Sequence, residues 1–311
     1  MELYLLKSAL CIAIFYTFYM GILEGTTLHT FKRFYLIGTL LVSFIIPLIT
    51  FTTYVEATTT IQSRYIVSSI TPEYVRDETV SDFWPYVLWG LYVLGVLFFS
   101  LKFSKNLKDM ILKIRTNPKQ RKRDIIQVLL SEEIVPHTFF NYIFFNKRRF
   151  ETDSIPKEVV IHEMTHAREQ HSLDVLLVEI LKIVFWFNPF LYFIRHSVKL
   201  NHEFLADRAV LKQGADTATY QKTILAYSSN AVSPQLANSL NYSFIKKRFN
   251  VMYTQTSKKG ALIRGLLLIP ILALTIFGFS ERQHVEIPQG NATVVPELIQ
   301  DSATREEMKE Y

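Results

Sequence analysis

Residues 173–194 read LDVLLVEILKIVFWFNPFLYFI, and how they are placed decides the fold. The stretch is apolar enough to be taken for a membrane span. It nevertheless holds Asp174, Glu179 and Lys182, and Asn188-Pro189 interrupts any helix. Only 12 residues separate Lys182 from Arg195, against the roughly 20 a spanning helix needs. On either side lie residues that belong together. Upstream is His162-Glu163-Met164-Thr165-His166, an H-E-x-x-H. Downstream is Glu203-Phe204-Leu205-Ala206-Asp207. A single crossing between them would put the two groups on opposite sides of a bilayer. Residues 173–194 are therefore expected to form two helical arms that break at Asn188-Pro189 and either dip into the inner leaflet or cap the domain.

The chemistry explains why the two groups belong together. On a helix, His162 and His166 project from one face, and two neutral imidazoles at that spacing hold Zn²⁺ at about 2.0–2.1 Å. Glu163 then lies beside the open position as general base. It takes a proton from a zinc-activated water and returns it to the leaving amine. Pro156 suits the start of that helix, and Val159, Val160 and Ile161 make its surroundings apolar. A metzincin-type third ligand would need Gly at 169 and His at 172, where this chain has Glu169 and Ser172. Glu203 completes a His₂Glu set instead. Asp207, four residues on, is placed to accept a hydrogen bond from a ligand His and fix its tautomer. His202 and Arg208 are weaker candidates for holding an oxyanion, and His171 and Asp174 weaker still as outer partners. His137 and His196 have no spacing argument behind them.

Outward again, four apolar runs stand out: residues 3–23, 34–53, 83–101 and 265–280. Basic residues cluster in 24–33, 102–123 and 246–264. Segment 54–82 instead holds five acids and two basic residues. The positive-inside rule puts the basic stretches in the cytoplasm. The expected organisation is three transmembrane helices in 1–103 with an extracytoplasmic loop 54–82, and a cytoplasmic zinc peptidase domain over 104–260. A fourth transmembrane helix follows at 261–280, then an extracytoplasmic tail at 281–311. Residues 124–130 and 138–145 are β-prone. They suit either an edge strand that holds an extended substrate or a hairpin packed on the membrane face.

Composition agrees with this class. The 311 residues are 49% hydrophobic and 14% aromatic with 20% charge, which leaves ample apolar mass to order the chain. The single Cys11 excludes a disulfide framework. The net charge of +6 tracks span boundaries, so it reads as membrane flanks and not as a nucleic-acid surface. The absence of obvious repeats or intramembrane charge pairs argues against a transporter.

The order of these features resembles the membrane zinc peptidases of the beta-lactam sensor-transducer (methicillin-resistance regulator) family. Three apolar runs are followed by a basic region, Ile161-His162-Glu163-x-x-His166 and Trp186-Phe187-Asn188-Pro189. Glu203-x-x-Ala206-Asp207 and a fourth run come next. Further likeness lies in Gly214-Ala-Asp-x-x-x-Tyr220 and around Lys247-Arg248. The resemblance covers residues 1 to about 280. It implies a mainly α membrane protein with a gluzincin-like domain and a small β-element. It also implies zinc on His162, His166 and Glu203, Glu163 as general base, and a bacterial plasma membrane. The implied targets are cytoplasmic, in several members a transcriptional repressor or the protein itself; a homo-oligomer is compatible with this. The chain departs from the antibiotic-binding members after the fourth run. Residues 281–311 carry three basic and seven acidic residues and no large sensor domain, so beta-lactam sensing is not expected. Thr304-x-x-Glu307 resembles a capping box at the start of a further helix. The alternative to an enzyme is a non-catalytic membrane transducer or scaffold with a structural metal site.

Overall fold

The computed structural model describes residues 2–56, 83–229, 235–254 and 256–287. The capping box at Thr304 and most of segment 54–82 lie outside them. In chain order the elements begin with α1 (Glu2–Phe18, continued by a π-helical turn, Tyr19–Leu23), α2 (His29–Ile45, ending in a 3-10 turn, Ile46–Leu48), β1 (Thr50–Glu56) and α3 (Trp84–Thr116). Then come β2 (Lys119–Lys122), β3 (Ile125–Leu130), β4 (His137–Phe139), β5 (Tyr142–Asn146), α4 (Lys147–Glu151) and α5 (Lys157–Arg168). The rest are α6 (His171–Val184), α7 (Pro189–Lys212), α8 (Thr217–Ser229), α9 (Gln235–Tyr253), α10 (Lys258–Leu266), α11 (Leu268–Phe279) and β6 (Glu281–Ile287). The chain is mainly helical with a small sheet. It divides into two compact units: Met1–Ile49 with Glu78–Ser280, and Thr50–Asp77 with Glu281–Tyr311.

Among the described residues of the larger unit, four helical stretches are long and apolar enough to cross a membrane: Leu3–Leu23, His29–Leu48, Trp84–Thr116 and Lys259–Phe279. The second differs from the expected 34–53. Its first turns absorb the polar His29, Lys32 and Arg33, and Pro47 closes it in the 3-10 turn. Lys32 is fully buried there because its Nζ donates to the carbonyls of Glu24 (3.2 Å) and Thr26 (2.7 Å).

Residues 173–194 form two arms, α6 and the start of α7. Asn188 caps α7, its side chain accepting from the Phe190 amide at 2.9 Å. Both arms are built into the helical bundle. Val178, Phe185, Leu191 and Ile194 share one core with Ile12, Tyr19, Leu36 and Leu40 of α1 and α2. α2 meets the α6 arm at two points. Arg33 pairs with Asp174 at one end, and Phe44 meets Phe185 at 4.5 Å at the other. α3 touches the same hairpin at its tip, where a Cβ on Gly95 would lie 2.3 Å from the Trp186 ring. Only glycine permits that approach.

The sheet has the order β2-β3-β5-β4, with β3 and β5 parallel and the outer pairs antiparallel. Residues 138–145 thus form a hairpin, β4 and β5, that turns at Phe140 and Asn141. Phe140 adopts φ +51°, an unfavourable value for a bulky residue, and its amide is tied to Ser172 Oγ at 2.8 Å. β4 is an edge strand. In the smaller unit β1 pairs in parallel with β6, from Thr50↔Glu281 to Glu56↔Ile287. The expected loop and tail therefore each begin as a strand, in keeping with the β-branched and aromatic run from Thr50 to Val55.

Candidate metal centre

α5 is held by the sheet. Val160, Met164 and Ala167, spaced along one stripe, pack on Ile125, Ile143 and Phe145. The opposite stripe carries His162 and His166 towards α7. Facing them, α7 presents Glu203. His162 Nε2 lies 3.1 Å from His166 Nε2 and 3.3 Å from Glu203 Oε2, and His166 Nε2 lies 3.6 Å from Glu203 Oε1. Ligands placed about 2.0–2.1 Å from a tetrahedral zinc are separated by roughly 3.3 Å. The three side chains fit the ion without rearrangement, and they form a metal-capable cluster among the described residues.

The remaining polar atoms account for the orientation of each ligand. Tyr220 OH donates to Asp207 Oδ1 at 2.8 Å, so its oxygen accepts from His162 Nδ1, also at 2.8 Å. Asp207 itself lies 3.4 Å from that nitrogen. It also reaches His162 through the tyrosine, a bridge that sequence spacing alone does not reveal. Arg248, from α9, clamps Asp207 with two hydrogen bonds (2.9 and 2.6 Å) and reaches Glu203 Oε2 at 2.9 Å. On the other ligand, His166 Nδ1 lies 2.8 Å from His171 Nδ1, and His171 Nε2 lies 3.1 Å from Glu169 Oε2. In this network His166 Nδ1–H donates to His171 Nδ1 and His171 Nε2–H donates to the Glu169 carboxylate, which leaves the His166 Nε2 lone pair for a cation. Gln170, at φ +52°, makes the turn that brings His171 back beneath His166.

Electrostatics follow from these contacts. Burial disfavours charge on His162, but the carboxylates of Asp207 and Glu203 outweigh it and raise its pKa to about 10. An entering cation therefore takes the place of the Nε2 proton. Burial dominates at His166 and lowers it to about 4, so it is neutral. Burial would raise Glu203 and Asp207, yet Arg248 and His162 hold both carboxyls below the usual range. Burial raises Tyr220, which stays a donor.

Glu163 is buried beside the cluster. Thr138, on edge strand β4, donates to Glu163 Oε2 at 2.7 Å and lies 3.0 Å from its carbonyl oxygen. Thr138 carries no motif signal and was not singled out by spacing. His162, His166, Glu203 and Glu163 open onto a cavity of about 710 Å³. Thr138 and Phe139 line one wall, Val175 and Leu176 another, and Ile224 and Phe244 a third. His137 and His202 also line it. His202 is tied to Asp174 at 2.8 Å, and His137 stacks on Phe144. His196 packs on Phe244. Arg208 does not face this cavity. Five residues past Glu203 the helix has turned about 140° beyond a full turn, which takes Arg208 to a different face of α7 and removes it as an oxyanion partner.

Comparison with known proteins agrees with the geometry. Residues 144–252 match the family model described as BlaR1 peptidase M56. The regulatory protein BlaR1 of Bacillus licheniformis is 34% identical over 132 residues, covering 38% of this chain and 22% of that protein. The regulatory protein BlaR1 of Staphylococcus aureus is 25% identical over 187 residues, covering 58% of this chain and 32% of that protein. The aligned stretch spans less than a third of either relative's length. Over residues 144–252 the chain is thus similar to an M56 peptidase domain, and over part of its length to the BlaR1 regulatory proteins.

Proposed function

We propose that this chain is an integral-membrane zinc endopeptidase that transmits a signal by cutting a cytoplasmic regulator, its own chain, or both. The observation that carries the reading is the triad His162, His166 and Glu203, with ligand atoms 3.1–3.6 Å apart and an open side facing the cavity beside Glu163. The name of both relatives, regulatory protein, supports the signalling role.

When bound, zinc would polarise the scissile carbonyl and acidify water. The protein does the rest. The free edge of β4 receives an extended peptide by backbone pairing, and the apolar walls take its side chains. Glu163 Oε2, steadied by Thr138, accepts a proton from the attacking water. Oxygen adds to the peptide carbon, the C–N bond breaks, and Glu163 returns the proton to the departing amine.

The same reading places the site on the cytoplasmic side. Residues 24–33, 102–123 and 246–264 carry the basic flanks, and the site is linked to the first of these through Arg33. Phe44 lies 11 residues beyond Arg33 along α2, about 16 Å at helical rise, and its partner Phe185 is the tip of the α6–α7 hairpin. That is about half of a bilayer core of roughly 30 Å, so the hairpin is re-entrant and the site lies at the membrane surface. The test is a search for new peptide termini in membrane and cytosol, comparing intact protein with Glu163→Gln. Termini present only with the intact protein are expected. Identical termini in both would favour the non-catalytic transducer.

A further inference from the structure

A second cavity, of about 390 Å³, lies on another face of α7. α7 lines the first cavity with Lys199, His202 and Glu203, and the second with Phe204, Asp207, Arg208 and Leu211; Arg248 borders both. The opposite wall comes from Thr27 and His29 at the α1–α2 turn, and from Thr254 and Thr256 ahead of α10. Its volume is within the range of about 300–1,000 Å³ usual for small-molecule sites.

Several polar groups in this cavity can donate and have no acceptor among the described residues. Arg208 is exposed and makes no ion pair among the described residues. His29 is 3% exposed, and its Nδ1 is buried without a hydrogen-bond partner. A buried polar atom in that state points to a missing partner. The Thr27 and Thr256 hydroxyls each accept from the other residue's amide (3.2 and 2.9 Å), which leaves their own O–H groups to donate. Asp207 is the acid in the lining, and both its oxygens are taken by Arg248 and Tyr220. Buried Lys32 adds positive charge close by, with its Nζ 5.2 Å from the centre of the Phe204 ring. The position is equally telling. Two candidate spans, His29–Leu48 and Lys259–Phe279, begin at this cavity, and the end of a span is where headgroups meet a protein.

We propose that this cavity binds the phosphate of an anionic phospholipid headgroup, with Arg208, His29, Thr27 and Thr256 as its donors. Free phosphate shares that chemistry, and the test separates the two. Occupancy does not depend on peptidase activity. The full-length protein in detergent is titrated with phosphatidylglycerol or phosphatidylcholine and followed by native mass spectrometry, with and without millimolar inorganic phosphate. The variants are Arg208→Gln, Arg208→Lys, and Lys108→Gln on α3 as a charge control; unchanged metal content reports intact folding. One phosphatidylglycerol per chain is expected to bind in preference to phosphatidylcholine and to resist inorganic phosphate. Arg208→Gln should weaken it by about tenfold or more, as loss of a charge-assisted hydrogen bond does, with Arg208→Lys between and Lys108→Gln unchanged. Displacement by inorganic phosphate would overturn the lipid assignment in favour of a free anion. Equal retention of both lipids, or equal effects of Arg208→Gln and Lys108→Gln, would overturn the site itself.

Discussion

The two halves of the metal centre are held by different parts of the molecule. α5, with His162 and His166, is fixed by the small sheet through Val160, Met164 and Ala167. α7, with Glu203 and Asp207, grows out of a hairpin packed among α1 and α2 and is braced by Arg248 from α9. The sheet side resembles the core of a soluble protein, sealed by Ile143 and Phe145, both fully buried. The bundle side is continuous with helices apolar enough to span a membrane. The centre is therefore a seam, complete only when sheet and bundle are in register. A signal that shifts the bundle could act on Glu203 without touching the histidines.

The seam can be broken from either side. The largest effect is expected at the shared chemical step. Glu163→Gln should lower peptide cleavage by about 10²–10⁴-fold, the usual contribution of a general base, with metal content unchanged. Next comes the bundle-side brace. Arg248→Ala should lower metal affinity by about 10–100-fold, measured by competition with a chelator, because Glu203 and Asp207 both lose their cationic partner. On the sheet side, Thr138→Val should cost about tenfold in kcat with KM little changed, because it frees Glu163 while nearly keeping the shape of the cavity wall. The smallest catalytic effects belong to packing. Ile143→Ala should destabilise the sheet by about 2–5 kcal/mol. Gly95→Val should destabilise the hairpin contact by about 1–3 kcal/mol through its clash with Trp186. Thermal unfolding followed separately by metal release and by Trp fluorescence would tell which side yields first.

Much of this centre could be read from residue identity. The spacing of His162 and His166, the acid at 203 and the break at Asn188-Pro189 each express a local rule, and each has a counterpart in the helices observed. What escaped depends on tertiary placement. Thr138 is an ordinary strand residue until β4 lies beside α5. His171 looked marginal because five residues do not repeat on one helix face. The left-handed Gln170 ends that helix and folds the next one back. Arg208 looked like a neighbour of the site because it follows Asp207, yet adjacent positions on a helix face different ways. The second span began earlier than expected because buried carbonyls receive Lys32, a compensation that hydropathy does not count.

The claim on which the rest depends is that helices from both sides of the seam grip one zinc ion. Zinc-edge X-ray absorption on the full-length protein tests it most directly, with metal counted per chain. The expected result is about one zinc with N/O ligands at about 2.0–2.1 Å, two of them imidazoles, and loss of the ion in Glu203→Ala. A full complement of zinc with an unchanged spectrum in Glu203→Ala would contradict it.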